Sequence, residues 1–269
     1  MGLLGRARIA RSLVWRDFLI TRSYRLPFVF DLIFGIANLV IYFYISRTFE
    51  GAETSSFGGA PSYFAFAAVG VSLTVVIQSA CVGLARRLRE EQLTGTFEAL
   101  VAEPVASAET SLGLAGFPFL FAVVRAVVYL AAGYLLLSLD LSHADFGGFA
   151  VMLTVTGLAV AALGVAFGAL VLIFKRGDAI AVLITFALGV GGGAFFPTDE
   201  LPAAVQPIVD LMPTRSAFDG LRAALFRGEG WTGDALSLAL FAIIALPLGV
   251  LAFDRALAYA RRRGSLAQY

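Results

Sequence analysis

Charged residues are scarce in this 269-residue chain, 14% of the total, and the densest group stands in one stretch, RRLREEQLTGTFEALVAEPV, residues 86–105. Arg86, Arg87 and Arg89 enter it, followed by Glu90, Glu91, Glu98 and Glu103. Thr94, Gly95 and Thr96 offer a flexible start with hydroxyl groups suited to capping a helix. Glu98 then falls in the first turn, where a carboxylate complements the helix dipole. Phe97, Leu100 and Val101 share one face, and Pro104 ends the helix by pushing its predecessor out of the α region. A free helix in water needs about 12–15 residues. This one is far shorter, so it rests on its own bundle or on a partner protein. By residue type alone, the segment also reads as a charged loop that only joins its two apolar flanks.

Other chemistry is bounded by what the composition withholds. The one lysine, Lys175, lies between Phe174 and Arg176, whereas a phosphate-binding loop needs Gly-Lys-Ser/Thr. ATP-driven work by this chain therefore needs a nucleotide-binding site on another polypeptide. One histidine and one cysteine supply no HExxH or Cys/His zinc set, and no Gly-x-Ser-x-Gly elbow is present. His143 reads as a solvated loop residue, and Cys81 as packing within an apolar stretch. Arg125 is the one strong charge deep in a span. It reads either as a cation of a transport path or lipid headgroup site, or as a structural charge paired with Asp31 or reaching for the interface. Aromatics gather at Phe34 and Tyr42, and at Phe195 and Phe196. With Arg125 they form a candidate pathway set, or else they are packing and interfacial residues.

The elements that must hold these residues are membrane helices. The chain is 59% hydrophobic, and soluble domains carry about 25% charged residues. Stretches near 20 apolar residues are long enough to cross a bilayer. The expected class is an all-α polytopic membrane protein with spans at 28–46, 62–85, 113–139, 146–174, 180–196 and 231–254. Residues 1–26 alternate apolar and basic positions and suggest an interfacial amphipathic helix, or a basic flank that only fixes topology. No cleavable signal is expected, because six arginines precede the first apolar stretch and no small-residue site follows it. Gly164 and Gly168 form a close-packing pair. Gly189, Gly191, Gly192 and Gly193 interrupt the fifth span. Pro197, Pro202, Pro207 and Pro213 break residues 197–228 into pieces that dip into the membrane from outside without crossing it. With both termini inside, 15 of the 20 basic residues face the cytoplasm, which satisfies the positive-inside rule.

The string Glu90-Glu91-Gln92-Leu93-Thr94-Gly95-Thr96-Phe97-Glu98-Ala99-Leu100, followed by Pro104, resembles the cytoplasmic coupling-helix signature of ABC-2 type ABC transporter permeases. The basic N-terminal helix, the six spans and the proline-rich outer stretch are similar to that family too, although Met212 stands where relatives often carry asparagine. The resemblance implies one membrane domain over residues 1–269 that pairs with a second copy or paralogue. It implies a separate ABC ATPase subunit that binds ATP and Mg, while this chain carries no cofactor and is not itself an enzyme. Glu91, Thr94, Gly95, Thr96, Phe97, Glu98 and Leu100 would contact that ATPase. The implied work is outward movement of a hydrophobic, lipid-linked or glycan substrate across the cell inner membrane, with lipids and not nucleic acid as surroundings. The alternative is a membrane-embedded scaffold or enzyme subunit without a transport role.

Overall fold

The computed structural model describes residues 11–12, 14–19, 25–48, 57–93, 107–173 and 177–262. Among them every regular element is helical. The long helices are α1 (Arg25–Thr48), α2 (Tyr63–Leu93), α3 (Ser107–Leu137), α4 (Phe146–Ile173) and, last in the chain, α8 (Thr232–Arg262). Between α4 and α8 lie α5 (Gly177–Gly191), the short α6 (Gln206–Asp210) and α7 (Pro213–Arg222). One wide π-type turn, Ala223–Arg227, extends α7. Residues 14–19 are also helical, within the stretch expected to lie along the interface.

The centre belongs to α2 and α4. They bury 72% and 67% of their most apolar stretch inside the chain, against 11% for α1 and 22% for α8. Two side-chain caps fix their starts. Ser62 accepts the Ala65 N–H at 3.1 Å while its neighbour in the bundle, Ser46 of α1, accepts the Phe64 N–H at 3.0 Å. Asp145 accepts the Gly148 N–H at 2.9 Å and the Trp231 indole N–H at 3.0 Å, so one carboxylate caps α4 and anchors the approach to α8.

Close approach along this core depends on small residues. A Cβ on Gly164 of α4 would collide with the Ala80 carbonyl of α2, and one on Gly168 would press on Leu84 and Phe253. The sequence pair at 164 and 168 is therefore the place where α4 seats against α2 and α8. Because backbone cannot give way as a side chain can, Gly164→Ala will lower the thermal midpoint of the purified chain, and Gly164→Val will lower it further. Gly233→Ala, where nothing lies within 4 Å, will not. A melting series in detergent checks this.

Among the described residues, five helices are long and apolar enough to cross a membrane, where six spans were expected. The difference lies in the fifth, which is a 15-residue helix that stops at Gly191 instead of running to Phe196. The glycine run explains the stop. The Gly193 N–H bonds the Val190 carbonyl at 3.1 Å, the Ala194 N–H bonds the Gly189 carbonyl at 2.9 Å, and Gly193 takes φ +85°. This is a Schellman end, which needs a left-handed residue. Helix α5 nonetheless runs antiparallel to α2. Ala181 packs with Val82 near one end, and at the other Gly70 meets the Ala194 backbone so closely that no Cβ would fit.

The boundary at the charged stretch also differs. The apolar part of α2 fades near Ala85, but the helix continues to Leu93. Arg, Leu, Glu and Gln are good helix formers, so residues 86–93 extend α2 rather than begin a separate segment. Residues 94–106 lie outside the described residues. The last helix likewise continues past the expected residue 254 to Arg262.

Candidate functional site

Among the described residues, three polar assemblies interrupt the apolar bundle, two at one end and one at the other. The first ties residues 14–19 to the charged end of α2. Asp17 is 5% exposed, and its Oδ1 accepts Arg87 Nη2 at 2.6 Å and Arg16 Nε at 3.0 Å. Arg16 Nη2 reaches Glu91 Oε1 at 3.0 Å, and Arg87 Nη1 reaches Glu90 Oε2 at 3.0 Å. Phe18 adds an edge-on contact to Phe117 of α3. Charges this close to an apolar core persist because each meets a counter-charge. The N-terminal helix is thus clamped to α2 three residues before the Thr94-Gly95-Thr96 motif.

Glu91 therefore has a partner inside the chain. Glu91, which the resemblance places among the ATPase contacts, is 6% exposed beneath Arg16 in this chain. Thr94, Gly95, Thr96, Phe97, Glu98 and Leu100 lie outside the described residues. Arg87→Gln will remove the 2.6 Å contact to Asp17 and leave Arg16 to hold that carboxylate. Amide exchange across residues 14–19 will then speed up by at least about fivefold. Arg11→Gln, at an exposed position, will leave it unchanged. Hydrogen-exchange mass spectrometry distinguishes the two.

The second assembly is the pair between Arg125 of α3 and Asp31 of α1. The Tyr129 hydroxyl donates to the Asp31 carbonyl at 3.2 Å, and the Arg125 guanidinium lies 5.6 Å from the Phe121 ring centre. The sequence offered Asp31 as one of two structural outcomes for Arg125, and the pair forms.

The third assembly was not foreseen. Arg222, at the end of α7, is 2% exposed. Its Nη2 donates to the Gly193 carbonyl at 2.7 Å and the Phe66 carbonyl at 3.2 Å. Its guanidinium sits 3.5 Å from the Phe66 ring centre and 5.4 Å from that of Phe218. One side chain thus joins the start of α2, the end of α5 and the stretch after α6. Burial lowers the Arg222 pKa below its ordinary range, opposed by Asp219, 3.8 Å away. Arginine starts so high that it stays charged at neutral pH. Burial likewise lifts the Asp219 carboxyl above the usual aspartate range, against the pull of Arg222 and Arg215. One signal could have flagged Arg222: it stands inside the apolar run LRAALF.

The candidate pathway residues divide. Tyr42 and Phe195 stack at 6.2 Å, and the Phe195 carbonyl accepts the Tyr63 hydroxyl at 3.2 Å. Phe196 is half-buried next to them in sequence. Phe34 is 73% exposed on the outer face of α1, and Arg125 belongs to the Asp31 pair. Of the five, the structure brings Tyr42 and Phe195 into contact.

Compared with known proteins, residues 10–226 match the family model described as ABC-2 type transporter. No curated protein matches the sequence.

Proposed function

The chain belongs to the ABC-2 type transporter family, and from that premise we propose that it is the permease subunit of an ATP-driven exporter powered by a separate ATPase subunit. In this reading two copies, or this chain and a paralogue, pair across the membrane. Each makes six crossings, with α5 as the fifth, and residues 197–228 form a re-entrant outer segment. Both termini face the cytoplasm of the inner membrane. The cargo is a hydrophobic, lipid-linked or glycan molecule. Residues 86–105 are the coupling segment, and the ATPase supplies the site for ATP and Mg.

One observation carries this reading furthest. Helix α2 runs without interruption from the most buried part of the bundle to Leu93, and its charged end is gripped by Asp17 and Arg16. A force applied to the motif that starts at Thr94 is therefore delivered to the central helix and to the N-terminal helix together. The rigid ends of packed helices transmit such forces because packed cores do not deform continuously. The test is co-purification. When expressed with a Walker-A ATPase encoded beside it, the chain will retain that ATPase through affinity purification, and reconstituted ATP turnover will respond to candidate cargo. A chain that inserts normally but retains no ATPase would reject the reading.

A further inference from the structure

Helices α1, α2 and α3 and residues 14–19 surround a half-open cavity of about 530 Å³ at the arginine-rich end of the bundle. Its wall on α2 includes Gln78 and Arg86. Eight residues of helix separate them, about 12 Å along the axis. The cavity therefore carries polar lining well into an apolar stretch that runs from Tyr63 to Glu91. Gln78 is exposed and bonds to no described residue. Polar groups at membrane depth face a wet cavity or a ligand, since lipid tails cannot satisfy them.

The unmet groups on this wall are mainly donors. Arg86 is exposed and makes no ion pair among the described residues. Arg87 Nε and Arg125 Nε are buried without a hydrogen-bond acceptor, and Asp17 Oδ2 is a buried acceptor on the same lining without a donor. The opposite wall is aromatic: Phe28 meets Phe121 edge-on at 4.9 Å, and Phe121 lies beside Phe117 at 6.1 Å. Guanidinium groups recognise phosphate oxygens, and rings suit an acyl or glycerol portion. Asp17, Asp31 and Glu90 also line the space, and they largely neutralise Arg87 and Arg125. That balance disfavours a doubly charged free anion and suits a singly charged diester.

We propose that this cavity binds the phosphodiester headgroup of a glycerophospholipid from the adjoining leaflet, with Arg86 and Arg125 toward the phosphate and Phe28 and Phe121 along the glycerol and acyl start. Binding here does not require the ATPase and stands whether or not the chain transports.

The test uses the delipidated full chain in detergent and native mass spectrometry. Dioctanoyl phosphatidylglycerol is the probe, compared with dioctanoylglycerol, which lacks the phosphate, and with inorganic phosphate. The phosphodiester probe will bind at least about tenfold more tightly than either. Loss of one charge-assisted contact is worth about 1.5–3 kcal/mol, so Arg86→Ala will weaken it by about tenfold. The charge-neutral double variant Arg125→Gln with Asp31→Asn will weaken it as well, while Arg47→Ala at the other end will not. Labelling of buried Cys81 with maleimide verifies that each variant is folded. Equal binding of dioctanoylglycerol, equal binding of inorganic phosphate, or unchanged affinity in both cavity variants on folded protein would each overturn the proposal.

Discussion

Arg222→Met will destabilise the purified chain by about 3–5 kcal/mol, the largest stability loss expected of any polar residue in the bundle. The reasoning turns on which acceptor is orphaned. The Phe66 carbonyl sits in the first turns of α2, where the helical ladder also uses it. The Gly193 carbonyl follows the end of α5, and Arg222 Nη2 at 2.7 Å is its donor in the structure. Methionine matches the volume over the Phe66 ring but offers no N–H, so the buried Gly193 carbonyl loses its donor and Asp219 loses one of its two arginines, keeping Arg215. Arg222→Lys will recover part of the loss. It keeps a charge and a donor but not the planar group stacked at 3.5 Å from the ring centre. The chain provides its own reporter. Cys81 is the only cysteine and has no exposed surface, so thermal ramps read by maleimide labelling follow loss of the core. A methionine variant that labels at the wild-type temperature would show that Arg222 carries no such load.

Glu98→Lys will reduce transport by the assembled complex at least about thirtyfold while leaving membrane insertion intact. Under the coupling reading, Glu98 stands in the first turn of a short helix that begins near Thr96. Reversing its sign there removes a favourable dipole interaction of about 0.3–1 kcal/mol. Reversing a charge inside a docked interface costs more, about 2–5 kcal/mol, and the sum sets the expected factor. Insertion is governed by the apolar spans and the arginine distribution, neither of which changes. The measurements are cargo flux in proteoliposomes and chain abundance in the membrane fraction. Wild-type flux from Glu98→Lys would remove the docking role of this segment.

The readable parts of the fold were those set by local composition. The long apolar runs located α1, α2, α3, α4 and α8. Gly164 and Gly168 announced a close approach, because small residues four apart on a membrane helix have few other uses. Arg125 and Asp31 were legible as a pair because each is a charge in an apolar span. The misplaced boundaries share one cause. Apolar length measures bilayer thickness, whereas helix length depends on propensity, so α2 and α8 continue as helix after their apolar parts end. In α5 the reverse holds: apolar residues continue to Phe196, but the Schellman end at Gly193 halts the helix first.

The polar contacts were less legible because their partners are remote in sequence. Arg222 meets carbonyls 29 and 156 residues away, and Arg16 meets Glu91 at a separation of 75. No periodicity encodes such pairings. Arg222 falls in the outer stretch 197–228, where its charge alone names no partner, although its apolar neighbours Ala223, Ala224, Leu225 and Phe226 are all buried with it.

The brevity of α5 has a bearing on the surrounding lipid. Its 15 residues extend about 22 Å, several ångströms less than the roughly 30 Å hydrocarbon thickness of a bilayer. Ile180, Leu183 and Phe186 are exposed along it, so under the six-crossing proposal acyl chains beside this helix are compressed relative to those beside α4. Hydrophobic mismatch of this kind costs fractions of a kcal/mol per ångström. Vesicles of shorter-chain lipids will therefore accommodate the protein with less strain than those of long-chain lipids.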